Sequence, residues 1–191
     1  MSNRPTASAI LLALAFAASG CVSVGDRLIA HEYGPPLLPA PTLGSMRNVS
    51  QHESVWIGSH PSLEDLALAG RRGIARTIDV SLPEERPGFD VGAACEELGI
   101  DYVQVLPGSS AIPDDGAVDR ALRELRRSES EPVLLFSGSG DRAAMLLAVW
   151  RALDGGIDVD TAIDEARRSG MKPGAPVEFV RTQVARLSTG A

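Results

Sequence analysis

The sequence predicts a single α/β domain with a central, mostly parallel sheet of about four or five strands flanked by helices. From residue 49 onward, short apolar runs alternate with amphipathic segments of helix length, the pattern of strands joined by crossover helices. About 140 residues follow that point, enough to build one hydrophobic core and not two.

The first twenty of the 191 residues do not read as part of that domain. Met1 to Pro5 carries Arg4 and no acid, "ASAILLALAFAA" is a short apolar core, and the stretch ends at Cys21. This is the layout of a secretory signal, too short to cross a bilayer comfortably as a permanent helix. Ala18-Ser19-Gly20-Cys21 is similar to a bacterial lipobox, which implies a lipoprotein signal peptide over 1–20 and a lipidated Cys21 at the mature N-terminus. The expected product is an exported lipoprotein, held at a membrane on its periplasmic or cell-surface face without spanning it. Residues 21–48 contain "GPPLLPAPTLG" and read as a flexible tether to a domain over 49–188.

Within the domain, strands are expected at 54–57, 75–80, 102–106 and 133–136. Helices are expected at 62–72, 90–98, 115–128, 142–154, 159–169 and 177–187. Ser62 with Asp65 three residues on is an N-cap signal, Gly70 to Gly73 closes that first helix, and Gly155-Gly156 stops the fourth. Leu122 and Leu125 form one buried stripe on an otherwise charged, solvated helix. Met145, Leu146, Val149 and Trp150 recur at helical spacing and predict the face that packs on the sheet. Cys95, in "VGAACEELG", reads as a small buried residue on a helix face.

Composition excludes several functions. The net charge is −7, and loss of residues 1–20 makes it one unit more negative, since Arg4 is the only charged residue there. Nothing builds the broad basic face that nucleic-acid binding needs. Cys21 and Cys95 are the two cysteines, so lipidation of the first leaves no disulfide and no cysteine metal site. No metal or other cofactor is expected.

The stretch "PVLLFSGSGDRAAMLLAVWRAL" carries the chemistry. An apolar run stops at Phe136, passes through Ser137, Gly138, Ser139, Gly140 and Asp141, and restarts as a helix led by Arg142. A buried strand that ends in a Gly/Ser loop and opens a helix is an oxyanion cradle: loop N–H groups turn inward, glycines permit close approach, and the helix N-terminus favours negative charge. Arg142 stands where a guanidinium could grip a phosphate in two places. The same seven residues also serve as a tight strand-to-helix connection with serine caps, and the stretch alone leaves both readings open.

Four stretches in order, "NVSQHESVWIGSHPSLEDLALAGRRGIARTIDVSLPEE", "LGIDYVQVLPGSSAIPDDGAVDRAL", the loop itself and "AIDEARRSGMKPG", resemble the beta-lactamase-hydrolase-like phosphatases. These are a bacterial branch of the cysteine-based protein tyrosine and dual-specificity phosphatases. The resemblance implies a protein tyrosine phosphatase-like fold and a loop similar to H-C-x-x-G-x-R. Laid on this sequence, the histidine falls on Phe136, the nucleophilic cysteine on Ser137, the glycine on Gly140 and the arginine on Arg142. The phosphate-binding set it implies is Gly138, Ser139, Gly140, Asp141 and Arg142.

The loss of cysteine has a physical consequence. A phosphatase thiol works because its surroundings lower its pKa to give a thiolate at neutral pH. A serine hydroxyl starts far higher and needs a neighbouring base, which Phe136 does not supply. Asp114, Asp115 and Asp79 are the general-acid candidates, although Asp114 and Asp115 also suit the cap of the helix that follows. His60, in "GSHPS", reads as a turn residue. Asp141 either caps the fourth helix or competes with an incoming phosphate for Arg142.

Three functional readings follow. The first is a membrane-anchored pseudophosphatase that binds a phosphorylated protein or small molecule, or another anion, through 137–142. The second is a structural or protein-interaction module with no anion site. The third is an active phosphoric-ester hydrolase that uses Ser137.

Overall fold

The computed structural model describes residues 38–39, 42–108 and 111–189. The expected signal peptide, Cys21 and most of the expected tether lie outside the described residues. The four predicted strands form, as β3 (Val55–Ser59), β4 (Arg76–Asp79), β5 (Asp101–Gln104) and β6 (Val133–Ser137). They pair in parallel in the order β3-β6-β4-β5. Two short antiparallel strands, β1 (Leu38–Pro39) and β2 (Ser50–His52), extend the β3 edge. The helices are α1 (Leu63–Arg71), α2 (Val91–Glu97), α3 (Asp115–Arg126), α4 (Asp141–Leu153), α5 (Val159–Arg168) and α6 (Ala175–Ser188).

β6 lies between β3 and β4 and is buried along its whole length. Its side chains alternate between two cores, as the period of a strand requires. Leu134 and Phe136 join Leu66, Val91, Cys95 and Ile100 on the face covered by α1 and α2. Val133 and Leu135 join the core built by α3 to α6 on the other face. The result is a sheet between two helical layers. α4 is buried all the way round from Arg142 to Arg151, so the four apolar residues read as one sheet-facing stripe belong to a helix enclosed by the sheet, α5 and α6. Among the described residues no helix is long and apolar enough to cross a membrane.

The expected tether boundary needs correction. Leu43 and Met46 are buried in the α1/α2 core, and Ser45 donates to the Asp65 carboxylate from both its N–H, at 2.7 Å, and its hydroxyl, at 2.8 Å. Asp65 is also half of the capping box that starts α1 with Ser62. Burial works to raise the Asp65 pKa, but the hydrogen bonds from Ser62 and Ser45 outweigh it and hold the carboxyl low. Proline-rich composition concealed this packing, because no apolar periodicity marks 42–48.

A buried polar group lies at the opposite edge. His52 of β2 stacks edge-on against Trp150, with ring centroids 5.8 Å apart, and its ring accepts from the Arg151 guanidinium. Arg151 also pairs with Glu165 at 2.9 Å, and both are almost fully buried. Burial, and then the charge of Arg151, lower the His52 pKa from 6.5 to about 4. The native state therefore binds fewer protons than the unfolded chain between those two values, and stability falls as pH falls through that window. Between pH 7 and pH 5 the loss is about 2 kcal/mol. Chemical denaturation at the two pH values should show it, and His52→Gln should remove most of the slope.

Candidate functional site

β6 ends at Ser137 and α4 begins at Asp141, so three residues make the turn. Gly140 is the N-cap of α4, with φ of 89°. Its N–H donates to the Ser137 carbonyl at 3.2 Å, and its own carbonyl accepts from Ala144 at 2.9 Å. A side chain there would face a second obstacle, since its Cβ would stand 3.2–3.3 Å from the backbone of Gly58 and Ser59. Both the left-handed backbone and the close approach of β3 call for glycine.

Neighbouring segments hold the loop from several sides. Ser59 of β3 is the register partner of Ser137, and the N–H of His60 donates to the Gly138 carbonyl at 3.4 Å. Asn48 Nδ2 donates to the Ser139 carbonyl at 2.8 Å, so the packed segment before β2 reaches the loop. Asp141 accepts from the N–H of Lys172 at 2.9 Å, and Lys172 Nζ lies 3.9 Å from the same carboxylate. Asp141 thus ties the loop to the α5–α6 connection and makes no pair with Arg142.

Arg142 is 5 % exposed. Its Nε donates to the Val80 carbonyl at 2.8 Å, and its NH2 forms an ion pair with Glu85 Oε2. Glu85 ends a single 3-10 turn, Pro83–Glu85, and the same Oε2 accepts from the N–H of Leu82 at 2.9 Å. The carboxylate lies across the loop: its atoms are 2.7–3.0 Å from the point where a Gly138 Cβ would stand. One acidic side chain therefore contacts the cation of the candidate anion site and covers its first glycine. Sequence reasoning missed Glu85, Asn48 and Lys172. "SLPEE" signals a turn, but nothing in it signals a partner 57 residues further along the chain.

Ser137 is fully buried, and its Oγ accepts from the N–H of Ala143 at 3.4 Å. Among the described residues, that bond is the one that engages its hydroxyl, and no titratable side chain is bonded to it. His60 does come near the loop, with its ring edge-on to Phe136 at 5.1 Å, and this corrects the reading of it as a simple turn residue. Its Nδ1 is engaged with the Pro61 carbonyl at 3.0 Å, and its buried Nε2 has no hydrogen-bond partner. Cys95, the one cysteine among the described residues, is no substitute nucleophile: it is buried in α2, and burial pushes its thiol pKa up.

The general-acid candidates serve other contacts, and Asp114 takes the capping role that the sequence offered for it. Asp114 caps α3 by accepting from Ala117 at 2.8 Å. Asp115 accepts from Gln183 at 2.7 Å and faces Arg186 of α6. Asp79 is buried and accepts from Ser81 N–H and Tyr102 O–H, both at 2.8 Å. All three carboxylates are engaged by these partners, and none has a bond to the loop. Next to Asp79 is a cavity of about 360 Å³, lined also by Arg86, Phe89, Asp90, Tyr102 and Gln104. Burial and the Asp79 carboxylate push the Tyr102 pKa up, so its phenol keeps its proton.

No protein-family model matches the chain, and no curated protein matches it in sequence. Solved structures do match. Tk-PTP in its active form is 20 % identical with a TM-score of 0.58, over 69 % of this chain and 91 % of that one. The fold is that of the cysteine-based protein tyrosine phosphatases. The core catalytic domain of the PP-IP phosphatase SIW14 from S. cerevisiae, in complex with citrate, is 20 % identical with a TM-score of 0.60, over 81 % of this chain and 94 % of that one. TpbA of P. aeruginosa, with serine in place of a cysteine and in complex with pTyr, is 20 % identical with a TM-score of 0.57, over 80 % of this chain and 98 % of that one.

The two demands on Gly140 give a prediction for this phosphatase-like fold. Gly140→Ala should destabilise it by roughly 1–3 kcal/mol, from the left-handed backbone and the crowding of β3 together. Urea denaturation of the two chains measures the difference, and an unchanged midpoint would mean that the loop relaxes freely.

Proposed function

We propose that the chain is a membrane-anchored protein tyrosine/dual-specificity phosphatase-like protein that has lost phosphatase chemistry and binds a phosphorylated group or another oxyanion through residues 137–142. The observation that carries the reading is the buried guanidinium of Arg142, which pairs with a carboxylate that lies over Gly138. Such an environment selects an anion, and a phosphate offers the same paired oxygens as a carboxylate.

Ser137 stands at the position of the family's nucleophilic cysteine. Attack on phosphorus needs a deprotonated nucleophile, and the Ser137 hydroxyl is buried against the first turn of α4 with no base bonded to it. Binding does not need that step. The cysteine-to-serine TpbA structure is described in complex with pTyr, which supports the view that a phosphatase loop can keep its anion when its thiol is gone. The partner is then a phosphorylated protein or small molecule.

The unpartnered Nε2 of His60 favours one competing reading, hydrolysis by Ser137 with His60 as base. Calorimetric titration of tungstate, a phosphate mimic, into the full chain in detergent decides between the readings alongside a turnover assay with p-nitrophenyl phosphate. Saturable binding lost in Arg142→Ala, with no turnover, is expected. Turnover abolished by Ser137→Ala would establish the hydrolase, and no binding in the unchanged chain would remove the anion site.

Anchoring rests on the lipobox-like sequence before Cys21. Cys21→Ser should abolish incorporation of labelled palmitate and move the protein from the membrane to the soluble fraction. Palmitate labelling that persists in the variant would rule out Cys21 as the anchor.

A further inference from the structure

We propose that Glu85 is a built-in occupant of the oxyanion loop, and that any external oxyanion must displace its carboxylate to reach Arg142. The inference rests on the reading of 137–142 as an anion site and adds its regulation.

Three observations converge on this side chain. First, Glu85 pairs with Arg142, whose other bond goes to the Val80 carbonyl, so the carboxylate supplies the negative charge at this buried guanidinium. Second, the carboxylate covers Gly138 so closely that a Cβ there would be 2.7 Å from its Cδ. It therefore spans the loop from its first glycine to its arginine, the area an incoming phosphate would need. Third, the segment that delivers it is slight. Pro83–Glu85 is one 3-10 turn with no buried residue, flanked by exposed Arg86. Nothing in the hydrophobic cores fixes that turn in place, and local opening starts in segments of this kind.

Charge makes the two occupants exclusive. A phosphate beside the Glu85 carboxylate would bring like charges together over a single guanidinium, which disfavours double occupancy. The side chain of Glu85 is 29 % exposed, so water reaches one edge of the ion pair and a solvated route exists for the exchange. The opposite role is also physically defined: Glu85 could hold Arg142 in the geometry a phosphate needs. The two roles predict opposite signs for the same substitution.

The test is tungstate titration into the full chain, Glu85→Gln, Glu85→Ala and Arg142→Ala, with thermal melting to confirm folding. Glu85→Gln keeps an oxygen for the Leu82 N–H and removes only the charge; Glu85→Ala guards against a new amide contact. Displacement predicts at least a tenfold lower dissociation constant for both Glu85 variants than for the unchanged chain, and no binding in Arg142→Ala. Equal or weaker binding by the Glu85 variants would overturn the proposal while leaving the anion site standing. Absence of binding in every chain, with normal melting, would overturn both.

Discussion

A guanidinium that is 5 % exposed at the carboxyl end of a parallel sheet must be met by acceptors and by negative charge. Arg142 imposes that requirement, and the surrounding structure meets it. β4 is extended by the bond from Val80 N–H to the Phe136 carbonyl at 2.9 Å, after which the Val80 carbonyl turns to Arg142. The chain then makes the one turn that brings Glu85 back over the loop. Strand end, turn, loop and helix start form a single electrostatic unit. The two partners of its ion pair are unequal: the guanidinium is almost fully buried, while the Glu85 side chain is 29 % exposed, so water reaches the acidic side of the pair.

This arrangement separates the two abilities that a phosphatase loop normally combines. Holding an oxyanion depends on position: a cation, inward backbone donors and a helix N-terminus. Hydrolysing an ester depends in addition on a nucleophile of low pKa and on an acid for the leaving oxygen. Here Gly140 is the N-cap of α4 and Arg142 supplies a buried cation beside the loop. The chemical elements are not assembled, since Ser137 lies against Ala143 and Asp114 and Asp115 serve α3 and its contact with α6. On the proposed reading, the loop binds an oxyanion without turning it over.

The legible part of the fold was its repetitive part. β3 to β6 and the six α-helices among the described residues follow from apolar runs, amphipathic spacing and caps such as Ser62 with Asp65, because those signals are local. β1 and β2 escaped notice because strands of two and three residues carry no period. In the candidate site, the loop itself was legible from its glycines and arginine. Its surroundings were not. Glu85 and Asn48 reach the loop across 57 and 91 residues, and Lys172 contributes a backbone N–H, which any residue type would have offered. His60 illustrates the same limit, since only the register of β3 against β6 brings it beside Gly138.

The segment before β2 shows how far these non-local contacts extend. Ser45 gives the buried Asp65 carboxylate two of its hydrogen bonds, Leu43 and Met46 fill the core under α1, and Asn48 holds the Ser139 carbonyl. A domain cut at residue 49 would lose all of these at once. Asp65 would keep its bonds with Ser62 but lose both bonds from Ser45, and the apolar surface that Leu43 and Met46 cover would be opened to water. The Ser139 carbonyl would lose its brace on the same side. Residues 42–48, part of the stretch that reads as a passive tether, therefore belong to the folded unit, and Asn48 joins them to the loop directly through the Ser139 carbonyl.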